Sequence, residues 1–330
     1  MNCKTMVGLC AGVLYCLNVN AADGNAVAPS EQKGKAIVKV FTNFHTGFGS
    51  ANDRRGFDLD RSYLGYEYAL NRSLKVKAVM DIGKSSDVDD YQRIAYIKNA
   101  MLTWTHGKWT LNGGLISTTQ FNTQEKFWGN RYVMKSFQDQ YSFGSSADLG
   151  VSVAYRFADW ISADVIVANG EGYKKVQIED GLLYGGGVTM KPLDGLTLRV
   201  YGGMNEAADA AGKDIFNLAT FIGYKGKSFS IGGEYNRIEN AKYQDNSTMQ
   251  GVSVYGTAKF SGTISAFARY DQLFSSDEVN KGKEEMKLVG GVEFKLGKYV
   301  KLTPNIRYVN PTDSSKKNYC MAYVNCYFGF

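Results

Sequence analysis

The sequence runs to 330 residues, with 38 Lys and Arg against 32 Asp and Glu, and with 37 Gly, 22 Tyr and 18 Phe but only 4 Pro. A net charge of +6 is too small to imply a nucleic-acid partner. Beyond the first segment no run of about 18 apolar residues occurs, which excludes a protein that crosses a membrane by helices.

Residues 1–21 read as an export leader. Lys4 supplies its basic end, 6–17 its apolar stretch, and the small residues Ala21 and Ala22 fit cleavage near Ala21. Cys3, Cys10 and Cys16 depart with it. So does Lys4, leaving 37 basic residues (38 less one) against 32 acidic. Leu9 and Tyr15, which precede Cys10 and Cys16, are too large for lipid attachment at those cysteines. A short segment, 22–34, leads into a single expected domain, 35–330.

From Lys35 onward one unit repeats: a segment of roughly ten residues alternating apolar and polar, then a turn or loop. This predicts an all-β fold of sixteen antiparallel strands. The first connection is long, 50–55, and the next is short, Asn71-Arg72. Between Leu74 and Ile82 the faces separate, with Leu74, Val76, Ala78, Met80 and Ile82 on one side and Lys75, Lys77 and Asp81 on the other. Long connections are then expected near 84–90, 119–145, 171–180, 206–213, 239–248, 275–284 and 310–317. Short ones built from turn formers are expected at Gly107-Lys108, Ala158-Asp159, 192–195, Gly226-Lys227, Ser261-Gly262 and Gly297-Lys298. Strict alternation of short and long is the plan of a transmembrane β-barrel, with short turns facing the periplasm and long loops outward. Two strands break phase: Asp58 and Asp60 share parity with Leu64 and Tyr68, and Lys98 with Ile94 and Leu102. A bulge in each would restore it.

Alternation alone also suits a soluble sandwich. The aromatics distinguish the two, because Trp104, Trp109, Phe157, Phe229, Phe260, Phe294 and Phe330 all have the apolar parity and all sit beside short turns or in the last segment. Such a ring at one level is an interfacial girdle. The last strand puts Cys320, Ala322, Val324, Cys326, Phe328 and Phe330 on one face, ending like the assembly signal of outer-membrane barrels. Cys320 and Cys326, about 20 Å apart in an extended strand, cannot pair and read as small lipid-facing hydrophobes.

Sixteen strands enclose more space than side chains fill, so water is expected inside. The inward faces then carry Lys39, Lys75, Lys77, Arg156, Arg199, Lys259, Arg269, Lys287, Lys295, Lys301 and Arg307, against Asp81, Asp164, Glu234, Asp271 and Glu293. A basic lumen favours negative solutes unless these cations pair with the acids, an alternative the sequence leaves open. The third outward loop, 119–145, is long enough to fold inward and narrow the lumen. Its middle mixes Arg131, Lys135 and Asp139 with Tyr132, Met134 and Phe137, as an amphipathic turn packed on an inner wall would.

The stretch KFWGNRYVMKSFQDQYSFGSSADLGV, 126–151, resembles the constriction-loop region of porins related to phosphate-selective porins O and P, and FDLDRSYLGYEY, 57–68, is similar to their second strand. The strand plan matches along the whole chain after the leader. The resemblance implies a sixteen-stranded barrel, usually trimeric, passing small anions by diffusion. Arg131 and Lys135 are the candidates for that family's lysine cluster, which is not matched residue by residue.

Membrane lipid and lipopolysaccharide are the expected surroundings, small solutes of anionic character the expected cargo, and no cofactor is implied. A barrel enzyme of lipase, acyltransferase or protease type would want a His beside a Ser and an acid. Only His45 and His106 exist, and the strand plan sends them to opposite ends. An adhesive barrel with a closed lumen would need longer loops. No Cys or His spacing suits zinc, and the acidic run Asp87, Asp89 and Asp90 reads as a solvated loop rather than a cation site.

Overall fold

A computed structural model describes residues 34–85, 88, 92–175, 180–275 and 284–330. The leader, nearly all of 22–34, and Asp87, Asp89 and Asp90 lie outside the described residues.

The alternating segments form sixteen strands: β1 Gly34–Gly49, β2 Arg55–Ala69, β3 Leu74–Gly83, β4 Ile94–His106, β5 Trp109–Ser117, β6 Ala147–Ala158, β7 Ile161–Ala168, β8 Leu183–Met190, β9 Leu196–Asn205, β10 Ile215–Lys225, β11 Phe229–Glu239, β12 Met249–Lys259, β13 Ile264–Ser275, β14 Glu285–Leu296, β15 Val300–Pro311 and β16 Tyr319–Gly329. Each pairs antiparallel with its neighbours in sequence, and β1 pairs with β16 from Lys39↔Gly329 to Gly49↔Tyr319, which closes the barrel. Closure leaves no sheet edge, so every strand satisfies its backbone groups laterally. Short turns and long loops alternate as the turn residues predict. At Gly107-Lys108 the glycine takes φ +55°, the left-handed conformation that a two-residue hairpin turn needs.

The outer wall is apolar and exposed: Ile97, Val165, Ile222 and Leu296 each leave more than half of their surface uncovered, the last and first at 58%. A belt of this kind is stable only against hydrocarbon. Trp104, Trp109, Phe157, Phe229, Phe260, Phe294 and Phe330 are all exposed, and Trp160, Tyr224 and Tyr299 join them near the short turns. Cys320 and Cys326 are free thiols on the outward parity of β16.

Both out-of-phase strands carry a bulge. Phe41 pairs with Arg61 but Thr42 with Leu59, so Asp60 is the extra residue. Val79 pairs with Asn99 but Met80 with Ile97, so Lys98 is the extra residue of β4. Each bulge aims its charged residue inward, along with the residues that precede it in phase, Asp58 on β2 and Tyr96 on β4.

The outward parity generates a prediction. Ile222→Arg, at mid-strand in β10, should destabilise the barrel by about 2–4 kcal/mol, whereas Lys259→Gln on the inner face should change stability by less than about 0.5 kcal/mol. Denaturant titration of protein refolded into lipid vesicles, read by gel mobility of folded and unfolded forms, measures both.

Candidate functional site

The connection between β5 and β6 leaves one side of the barrel and packs against the other. It begins with helix α1, Asn122–Trp128, ended by Gly129 in the left-handed conformation at φ +68°. A second short helix, α2, spans Phe137–Gln140. In α1 the helical period divides the side chains: Gln124 and Trp128 are buried toward the wall, whereas Asn122, Glu125 and Lys126 line an open cavity with Gly129. Phe121, Trp128, Phe137 and Phe143 are buried to 2% exposure or less. Trp128 meets the edges of Tyr255 and Phe267, and Phe127 that of Phe221, with ring centroids 5.6, 5.7 and 4.8 Å apart. These partners sit on β12, β13 and β10, across the lumen from where the loop starts.

Polar contacts fix the same seam. Loop carbonyls accept from the wall: Arg269 Nη1 donates to Lys135 O at 2.7 Å, Arg307 Nη2 to Val133 O at 2.7 Å, and Arg199 Nη2 to Thr119 O at 2.7 Å. Tyr255 donates to Gln124 O at 3.0 Å and Asn325 Nδ2 to Tyr132 O at 3.2 Å. In return the Tyr132 hydroxyl donates to Glu293 Oε2 at 2.8 Å. Buried carbonyls left without donors would each cost roughly 1–3 kcal/mol, so these wall donors hold the loop in one position.

The loop carries its own ion pairs. Arg131 binds both Glu125, at 3.1 Å, and Asp139, and donates to the Tyr63 hydroxyl at 3.2 Å. Burial pushes the Asp139 carboxyl up, but Arg131 and Lys135 outweigh it and hold it at about 2. The carboxylate's contribution to loop stability is therefore complete above about pH 4 and lost as pH falls through about 2.

All eleven basic strand residues expected inside have inward parity by strand register. They divide into two groups. Arg199 chelates Asp164 through two bonds of 2.7 and 2.9 Å, and Arg269 chelates Asp271 through two of 2.8 and 2.7 Å with both side chains fully buried. Lys287 pairs with Glu285 at 2.6 Å and Lys301 with Glu293 at 2.9 Å. Arg307 lies 3.6 Å from the centroid of the Tyr323 ring and binds Asn305 and Asn325. These five hold wall and loop together. Among the described residues Lys39, Lys75, Lys77, Arg156, Lys259 and Lys295 form no ion pair, and all but the half-buried Lys77 are exposed.

With the loop seated on β10–β16, open space remains along β1–β4. A cavity of about 690 Å³ at the short-turn end is lined by Lys35, Lys39, Lys77, Lys98, Lys126, Arg131 and Lys301, facing the acidic side chains Glu67 and Glu125. Toward the long loops a cavity of about 280 Å³ shares Arg131 and Tyr132 with it. A third, of about 580 Å³, shares Arg61 and Lys135 with the second. Arg131 thus stands at the neck between the two ends. Around it Arg61 bonds Asp81 at 3.1 Å, and Lys98 lies 5.3 Å from the Tyr63 ring centroid and 3.9 Å from Asp81.

Lys98 is absent from the eleven because simple alternation turns it outward, and Arg61 because the acids Asp58 and Asp60 on the apolar parity leave the phase of its strand ambiguous. The signal was present in both strands, since charged residues in phase with Leu64 and with Leu102 mark bulges, but which residue is extruded is decided by pairing with the neighbouring strands. Lys126 escapes because its placement needs the helix and the wall together. His45, near the long-loop end of β1, contacts Asn43 at 2.8 Å; His106 stacks on Trp104 beside a short turn. The structure does not bring them together.

No protein-family profile and no curated protein matches the sequence. Solved structures do. The anion-selective porin from Comamonas acidovorans superposes with a TM-score of 0.71 at 13% identity, covering 91% of this chain and 100% of that one. OmpT of Vibrio cholerae gives 0.69 at 14%, covering 93% and 100%, and OmpF of Salmonella typhi, solved with daunomycin, 0.69 at 11%, covering 92% and 99%. At these identities the likeness is one of fold: this chain has the closed sixteen-stranded barrel of bacterial porins.

The buried clamp is directly testable. Arg269→Ala leaves Asp271 buried without its partner and Lys135 O without its donor, and should cost about 3–5 kcal/mol. Tyr132→Phe, which leaves Glu293 paired with Lys301, should cost only about 1 kcal/mol. Guanidinium unfolding in detergent micelles gives the two values, and equal costs would show that the arginine is not the principal clamp.

Proposed function

We propose that the protein is an outer-membrane diffusion channel for small solutes with a preference for anions. The observation that carries this reading is the set of unpaired cations along the open side of the lumen, Lys39, Lys77 and Lys126, leading to Arg131 at the neck. Low-dielectric walls focus the field of such charges and raise the local concentration of anions. Arg199, Arg269, Lys287 and Lys301 have carboxylate partners, so the field comes from the unpaired group.

Export through a leader cleaved near Ala21, contact with lipid and lipopolysaccharide, and assembly as a homotrimer belong to the same reading. The apolar belt and aromatic ring support the first two. Trimerisation is supported by the resemblance and by a neighbour, OmpT of Vibrio cholerae, described in trimer form. Phosphate selectivity would be the narrower version. Of its candidates, Arg131 is already engaged by Glu125 and Asp139, and Lys135 lies 3.9 Å from Asp139, which favours a general anion path.

In planar bilayers the purified protein should give stable conductance steps with an anion-biased reversal potential in a salt gradient. Lys39→Gln with Lys77→Gln should move that potential toward the cation side, by more than Lys259→Gln does alone. Repeated insertions without conductance would sink the channel, and an unmoved potential would sink the assignment of its selectivity. Native mass measurement in detergent tests the trimer.

A further inference from the structure

The cavity at the short-turn end has two kinds of wall. One is cationic, with Lys39 on β1 and Lys126 on α1 exposed and Lys77 on β3 half-buried. The other is a platform of four aromatic rings: Phe41, Tyr63, Tyr132 and Tyr327. Phe41 lies 5.7 Å from Tyr63, 6.3 Å from Tyr132 and 5.8 Å from Tyr327, and Tyr132 lies 5.6 Å from Tyr327, all between ring centroids. Phe41, Tyr63 and Tyr132 are nearly covered, but Tyr327 and Ile37 remain half-exposed toward the cavity.

A path for inorganic ions needs the first wall and has no use for the second. A bare phosphate or chloride gains nothing from an aromatic surface and keeps its hydration best among water and lysines. An anion with an apolar body can place its charge by the lysines and its ring or hydrocarbon against Ile37 and Tyr327, gaining burial and ring contact together. The Lys301 ammonium, 5.8 Å from the Tyr327 centroid and paired with Glu293, keeps the platform's far edge polar and so orients the charged end. The volume, about 690 Å³, is ample for a single-ring carboxylate or phosphate ester.

We infer that this cavity is a binding site for organic anions with an apolar, ring-sized body, taken in preference to inorganic anions of the same headgroup. It deepens the diffusion-channel reading and rests on it for solute access. The site would act as a low-affinity stop on the way through, where weak binding raises flux without trapping the solute.

Isothermal titration calorimetry of the full chain in detergent tests this with two matched pairs, phenyl phosphate against inorganic phosphate and benzoate against acetate. The ring-bearing member of each pair should bind about tenfold more tightly. Ile37→Ser should shrink that ratio, and Lys39→Gln with Lys77→Gln should weaken both ring-bearing ligands severalfold. Equal affinities within each pair, or no measurable binding of either ring-bearing ligand at millimolar concentration, overturn the inference. The wild-type comparison decides this even where a variant fails to fold. Calorimetry reads the site whether or not the pore conducts, so a conducting protein that ignores the ring refutes only this inference, and a binding protein that never conducts refutes only the channel.

Discussion

The bidentate Arg269–Asp271 pair, fully buried and reaching out to the Lys135 carbonyl, is the contact on which the interior depends. A barrel of sixteen strands encloses more space than its wall side chains fill, so the position of the inserted loop decides what shape of space is left. An ion pair out of water is costly unless all its lone pairs and protons are used. Here the guanidinium serves the carboxylate with two bonds and the loop with a third. Arg199 repeats the device at the loop's start, with two bonds to Asp164 and one to the Thr119 carbonyl.

Seating the loop on β10–β16 makes the lumen asymmetric. One half becomes a packed interface of Trp128, Phe127 and Tyr132 against wall aromatics; the other stays open and keeps its lysines in water. The inward basic residues thus do two jobs by position. Arginines on the packed side are structural cross-links, because a planar fork can satisfy a carboxylate and a carbonyl at once. Lysines on the open side remain solvated point charges whose field reaches a passing solute. Arg131 belongs to both sides, held by Glu125 and Asp139 while its face forms the neck.

The two bulges have an effect out of proportion to their size. Without the bulge at Asp60, the phase that turns Leu64 outward would turn Asp58 and Asp60 toward lipid as well, which a charged side chain at that depth does not tolerate. Without Lys98 as the extra residue of β4, that ammonium could not reach Asp81 or the Tyr63 ring. The bulges lie on β2 and β4, the two neighbours of β3, so the chain interrupts regular pairing where it concentrates charge.

The sequence by itself determined the barrel: period-two alternation, turn residues at alternating spacing and aromatics of one parity near the short turns are local signals, and closure needs nothing more. It also determined which residues face inward on the strands that keep phase, where parity is a property of the strand alone; on β2 and β4 the pairing of neighbouring strands located the bulge. What only the tertiary structure decided is which inward cations are free. Lys301 and Arg199 look no different from Lys39 and Lys77 along the chain, and the difference lies in Glu293, Asp164 and a loop carbonyl brought beside them by strand pairing and loop insertion. Arg269–Asp271 and Lys287–Glu285 join residues two apart on one strand, but pairs between strands are set by distances that no periodicity along one strand records.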